Sequence, residues 1–198
     1  TKLYMSQGRQ NPVVCERQTG KLLGTFGKAG DGGVYALLAP DSTLIHGRGQ
    51  NHRTNGELRG FDADSRDSIV TFPGAQTMVM TQETAYLQTH SELSAFARGR
   101  YLDLQKQINA LNRRQAALQK RLKQLGKNPD APLKGQLTAE LENIRNQIAA
   151  HISAQAECFL WKRPSSYSCE LMLAGDILFA GGRNEVAAFR AADLGMQV

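Results

Sequence analysis

Short apolar or alternating runs of five or six residues, bounded by Gly, Asn, Asp and Ser, occupy most of the chain, and they recur. Lys2-Leu3-Tyr4-Met5-Ser6, Thr43-Leu44-Ile45-His46-Gly47, Thr84-Ala85-Tyr86-Leu87-Gln88 and Asp176-Ile177-Leu178-Phe179-Ala180 are versions of one segment. A second run follows each of them. Three of these end in Phe at the same place: Glu57-Leu58-Arg59-Gly60-Phe61, Glu92-Leu93-Ser94-Ala95-Phe96 and Glu185-Val186-Ala187-Ala188-Phe189. The first unit has Asn11-Pro12-Val13-Val14-Cys15 there. Runs of this length and composition predict strands. The first three units recur at about 40 residues, and the fourth returns after that period plus an insertion of roughly 50.

The predicted strands are Leu3–Ser6, Val13–Glu16 and Leu22–Phe26, then Val34–Leu38, Thr43–His46, Leu58–Asp62 and Ser68–Phe72. Thr77–Thr81, Ala85–Thr89 and Leu93–Ala97 form a third group, with Cys158–Trp161 as its delayed outer strand. Cys169–Leu173, Ile177–Ala180 and Val186–Arg190 form the fourth. In the turn Gln18-Thr19-Gly20-Lys21, the glycine supplies a residue that tolerates positive φ. Repeats of about 40 residues with four short strands predict propeller blades. The expected fold is mainly β with an α-helical insertion: a partial β-propeller of about four blades, the first and last incomplete, plus an antiparallel coiled-coil hairpin. The blades would occupy 1–99 and 158–198, and the hairpin 100–157. Open blade edges at each end make homo-oligomerisation an expectation, since unpaired strands are sticky.

Within the insertion the period changes. Tyr101, Leu104, Ile108, Leu111, Gln115, Leu118, Leu122 and Leu125 follow alternating steps of three and four, a coiled-coil seam. Leu137, Leu141, Ile144, Ile148, His151 and Gln155 continue it after a predicted break containing Gly126, Pro129, Pro132 and Gly135. A hairpin across that break sets Leu125 opposite Leu137, Leu118 opposite Ile144, Leu111 opposite His151 and Ile108 opposite Gln155. Gln115, His151 and Gln155 are polar seam residues expected to fix register at some expense in stability.

Charge is concentrated on the same segment. From Arg100 to Lys127 there are eight basic residues and one acidic residue, against a net charge of +6 for the chain. Lys106, Arg113, Lys120 and Lys127 recur every seven residues on the outer face of the first helix, with Arg100, Arg114 and Arg121 in the adjacent column. Lys106, Arg113, Arg114, Lys120, Arg121 and Lys127 form a candidate interaction stripe for phosphates or an acidic partner. A solvated helix face has the same composition, and no aromatics are interleaved for base stacking. Cys15, Cys158 and Cys169 are widely spaced and make no CxxC pair, which supports neither zinc nor a redox motif. Cys15, at the Phe position of its repeat, reads as a small buried hydrophobe. The sequence has no run of about eighteen apolar residues and so predicts no membrane span. A start within a strand and a stop after a turn are expected of a piece of a longer protein.

The pattern Leu-Phe-x-Gly-Gly, then Val-x-Ala-Phe-x-Ala, with an outer strand ending in Trp, stands here as Leu178-Phe179-Ala180-Gly181-Gly182, Val186–Ala191 and Leu160-Trp161. It resembles the repeats of pyrroloquinoline-quinone-type, quinoprotein-alcohol-dehydrogenase-like propellers, and with the helical arm it is similar to large bacterial, notably planctomycete, proteins. That family holds calcium- and quinone-dependent dehydrogenases and also non-catalytic scaffolds. The enzymes of the family use an adjacent Cys-Cys pair, which this chain lacks, so the resemblance implies no cofactor here.

Three functions follow from these features. The first is a non-enzymatic scaffold presenting the arm to a protein partner. The second is part of a quinone-dependent dehydrogenase whose site lies in further blades, with Asp31, His46, His52 and Asp62 the nearest approach to a polar cluster. The third is nucleic-acid binding through the basic stripe.

Overall fold

The computed structural model describes residues 1–8, 10–27, 32–47, 57–125 and 131–191. Its fourteen strands are β1 (Lys2–Gln7), β2 (Gln10–Glu16), β3 (Leu22–Thr25), β4 (Tyr35–Leu38), β5 (Thr43–Gly47), β6 (Glu57–Asp62), β7 (Ser68–Pro73), β8 (Ala75–Met80), β9 (Thr84–Thr89), β10 (Glu92–Ala97), β11 (Phe159–Pro164), β12 (Leu171–Ala174), β13 (Ile177–Gly181) and β14 (Val186–Arg190). Two helices, α1 (Arg98–Gln124) and α2 (Ala131–Ala156), lie between β10 and β11.

The strands form four antiparallel sheets with the orders β1-β2-β3, β4-β5-β6-β7, β11-β10-β9-β8 and β12-β13-β14. The expectation of a partial propeller is corrected here: the described residues make four separate sheets and a pair of helices, and no propeller or closed barrel is found among them. The physical reason is one of range. A 40-residue period states which strands hydrogen-bond to their chain neighbours, and those contacts are local. Closure into a ring depends on contacts between the first and last sheets, which no single repeat encodes.

Chain neighbours pair through tight turns. Thr19 Oγ1 donates to Glu16 Oε2 at 2.5 Å and accepts from Lys21 N, while Gly20 takes φ 71°. A side chain there would be strained in the left-handed region. Gly74, at φ 73°, is the single residue between β7 and β8 and lets the chain leave one sheet and enter the next. Thr81 and Thr89 act alike in successive turns. Each hydroxyl accepts from two following backbone amides, Glu83 and Thr84 in one case, Ser91 and Glu92 in the other. Such side-chain acceptors satisfy turn donors that a strand ladder cannot reach.

The strand-bearing part, Thr1–Arg98 with Phe159–Val198, is one compact unit. Its core sits between sheets. Val14, Phe26, Leu44, Phe61 and Ala63 join the first two sheets. Tyr86, Leu93 and Ala95 meet Leu178, Ala180, Ala187 and Phe189 between the last two. Phe72 and Phe96, with ring centroids 5.8 Å apart, bridge the middle pair. The Tyr35 hydroxyl donates to the Met78 carbonyl across the same junction, and burial raises its pKa.

The second unit is Gly99–Cys158. In α1 the run from Tyr101 to Gln124 holds no Gly or Pro and is rich in Leu, Gln, Lys and Arg, all good helix formers. Its 27 residues span about 40 Å at the usual rise. The predicted break was too long: Pro132 and Gly135 lie inside α2. A proline in a first helical turn removes only an amide that has no helical partner, so it is compatible with helix initiation.

Candidate functional site

Every predicted seam residue of α1 is buried or half-buried, as are Leu137, Leu141, Ile144, Ile148, His151 and Gln155 of α2. The helices pack together antiparallel. The Gln155 amide Nε2 donates to Tyr101 O at 3.2 Å and to Gln105 Oε1 at 3.0 Å. This places Gln155 at the start of α1, one heptad before the expected partner Ile108. The slip follows from the earlier start of α2, because a shorter connection between the helices draws the second one back along the first. The tighter register sets Leu118 opposite Leu137 and Leu111 opposite Ile144. Burial raises the Tyr101 pKa at this end of the seam.

This packing divides the basic residues into two columns with different roles. Arg114 lies beside the seam and reaches Glu140 of α2, with Nε and Nη2 at 3.0 and 2.5 Å from Oε1. Arg100 similarly approaches Glu157, at 3.5 Å. The next column points away from α2. Lys106, Arg113 and Lys120 are exposed there, and Arg113 Nε donates at 3.4 Å to Asn109 O of its own helix. Arg121 is also exposed, while Lys127 lies outside the described residues. The sequence missed Glu140: a glutamate in α2 becomes legible as a partner only once the register is known.

Two of the four residues of the body's polar cluster are described, and both have structural roles. His46 is a core residue of β5, 1% exposed and stacked on Phe61 with ring centroids 6.0 Å apart. Asp62 ends β6 and accepts through Oδ1 from the amides of Asp64 and Ser65, shaping the turn. Asp31 and His52 lie outside the described residues. Cys15, Cys158 and Cys169 are free thiols, the first two buried, and burial raises the Cys158 pKa. Among the described residues no group of three His, Cys, Asp or Glu side chains is placed to hold a metal ion. Nor is any helix among them long and apolar enough to cross a membrane.

One charged pair escaped the sequence reading. Arg98, at the junction of β10 and α1, is 4% exposed and pairs with Asp41 of the β4–β5 turn, Nη1 to Oδ2, at 2.6 Å. Its Nη2 donates to Gln82 O at 2.7 Å. Burial works to raise the Asp41 pKa, but the Arg98 guanidinium outweighs it and the net shift is downward. No family model matches the chain, and no curated protein matches it.

Proposed function

We propose that the chain is a non-enzymatic binding module in which the helical hairpin docks an acidic protein partner. The observation that supports this is the division of the basic residues. Arg114 is engaged with Glu140 of α2 and Arg100 with Glu157 just beyond it, whereas Lys106, Arg113 and Lys120 form an outward column with no acidic partner among the described residues. A column of like charge on a helix face raises the local concentration of anionic surfaces and speeds encounter. Of the residues that carry the likeness to quinoprotein repeats, Leu178 and Phe189 are buried in the body, while Leu160 and Val186 are exposed.

The test is a triple variant of the whole chain, Lys106→Glu, Arg113→Glu and Lys120→Glu, compared with the unaltered protein in pull-downs and in thermal melting. The expected outcome is an unchanged melting curve and loss of a protein partner. An unchanged set of captured proteins would sink the proposal. The same column also suits phosphates. Capture of RNA or DNA in place of protein, falling steeply with salt, would assign the column to nucleic acid instead.

A further inference from the structure

We infer that the acidic partner of the hairpin is itself an α-helix, lying along α1 with carboxylates spaced seven residues apart. The inference rests on the proposed function, to whose acidic partner it gives a shape. The warrant is the arrangement of exposed charge on α1. Seven residues turn a helix about 20° short of two full turns and advance it about 10.5 Å. Lys106, Arg113 and Lys120, all exposed, therefore stand almost in line over about 21 Å. Between Lys106 and Lys120 the other exposed residues are the uncharged Gln107, Ala110, Asn112, Ala116, Ala117 and Gln119, and Arg114, which Glu140 engages at 2.5 Å. A face that serves only solubility has no need of alignment and can carry Lys or Arg at any of these positions. Here the unengaged cations of that stretch stand in single file.

The shape of the partner follows from the period of that file. An extended segment returns to one face about every 6.8 Å. It meets Lys106 and Lys120 at its third step and sets no side chain against Arg113. A helix with Glu or Asp every seven residues advances by the same 10.5 Å or so as the column and meets all three cations. Charged pairs of this kind, flanking the contact between two helices, set partner choice in coiled coils. The flank of the column permits the approach: Ala110 and Ala117, exposed and themselves seven apart, have no side chain long enough to hold a second helix away. The Lys and Arg stems can then lie along the partner while their charged ends reach its carboxylates. Single-stranded nucleic acid is bound by aromatics on which bases stack, and the one aromatic of α1, Tyr101, is half-buried in the seam.

Two Ala-rich peptides of identical composition, equally helical by circular dichroism, serve as probes. One carries three Glu in line, seven residues apart, and the other carries them five apart, on different faces. Each is titrated by fluorescence anisotropy, at low salt where such pairs are least screened, into the whole 198-residue chain. The same titrations use the variant Lys106→Gln, Arg113→Gln and Lys120→Gln. The in-line peptide should bind the parent about tenfold more tightly, the effect of three aligned surface ion pairs. The variant should bind the two peptides alike. Equal binding of both peptides to the parent, lost in the variant, would overturn the inference and leave the acidic-partner reading standing. Binding of neither peptide would overturn the inference, and an unchanged pull-down beside it would remove that reading too. A short DNA duplex that displaces the in-line peptide at equal charge concentration would overturn both.

Discussion

The body and the hairpin solve the burial of apolar residues in different ways, and the difference bears on where binding residues can reside. In the second and third sheets both faces are closed. Leu58 is buried on one side of β6 and Phe61 on the other, and Leu93 and Phe96 do the same in β10. The interior of such a strand leaves little room for a charged side chain. In α1 only one stripe is closed, and the remaining faces of each turn are free to carry Lys and Arg. A sheet buried on two sides is committed to packing, whereas a helix buried on one side can recognise a partner.

The largest expected effect tests the closed side of this comparison. Phe96 is 1% exposed and touches Phe72 and Phe159 with ring centroids at 5.8 and 5.5 Å. Phe96→Ala should destabilise the chain by about 3–5 kcal/mol, because the ring on the adjacent strand β11 and the ring on β7 of the facing sheet cannot collapse into the space. Ile144→Ala, in the seam of the hairpin, should fall near the lower end of the roughly 2–5 kcal/mol range for such truncations, since a two-helix seam relaxes more readily. Guanidinium unfolding followed by far-UV circular dichroism measures both. Equal losses would remove the distinction between the two units.

The pair formed by Arg98 and Asp41 should come next. Removing one partner of a fully buried pair costs about 3–5 kcal/mol. The Asp41 side chain is 38% exposed and regains water when abandoned, so Arg98→Met should cost less, about 1–3 kcal/mol. Its pH dependence is specific. The folded pKa of Asp41 lies below its ordinary value, so its contribution is complete above about pH 4 and is lost as pH falls through the depressed value. Thermal melting from neutral to strongly acidic pH should show a shallower acid decline in Arg98→Met than in the parent. An identical decline would mean that the pair does not act on stability.

These two sites also show what could be read from the sequence. The strands were legible because each is a local pattern: Phe61, Phe96 and Phe189 recur at one position, and turn residues punctuate the runs between them. The seam was legible for the same reason. Arg98 was not, because its partner lies more than fifty positions earlier and nothing local links a turn aspartate to a residue ending another sheet. The hairpin register was misplaced by a heptad because Pro132 and Gly135 read as breakers, whereas both lie inside α2, Pro132 in the first turn, where a proline is compatible with helix initiation. The propeller expectation failed at the longest range of all, the closure of one end of the strand series on the other. Of the candidate stripe, the residues and their two columns were legible, but not that Arg114 is engaged across the hairpin, which required the position of Glu140.

The smallest effects sharpen the open side of the comparison. Gln155→Ala removes two hydrogen bonds at the root of the hairpin and should cost about 1 kcal/mol. Arg114→Ala breaks a pair whose side chains are 63% and 35% exposed, and such surface pairs contribute about 0.2–1 kcal/mol. Arg113→Ala, one residue away in the outward column, should leave stability within about 0.5 kcal/mol of the parent. The informative quantity is the contrast between these two neighbours. Under the proposed function Arg113→Ala should weaken partner capture more than Arg114→Ala, while Arg114→Ala lowers the melting temperature more. The two arginines differ by a single turn angle on the helix and carry the same charge, so any general electrostatic contribution is shared. A reversed order in both measurements would show that the ion pair with Glu140 leaves Arg114 available to the partner, and that the outward column is only a solvated face.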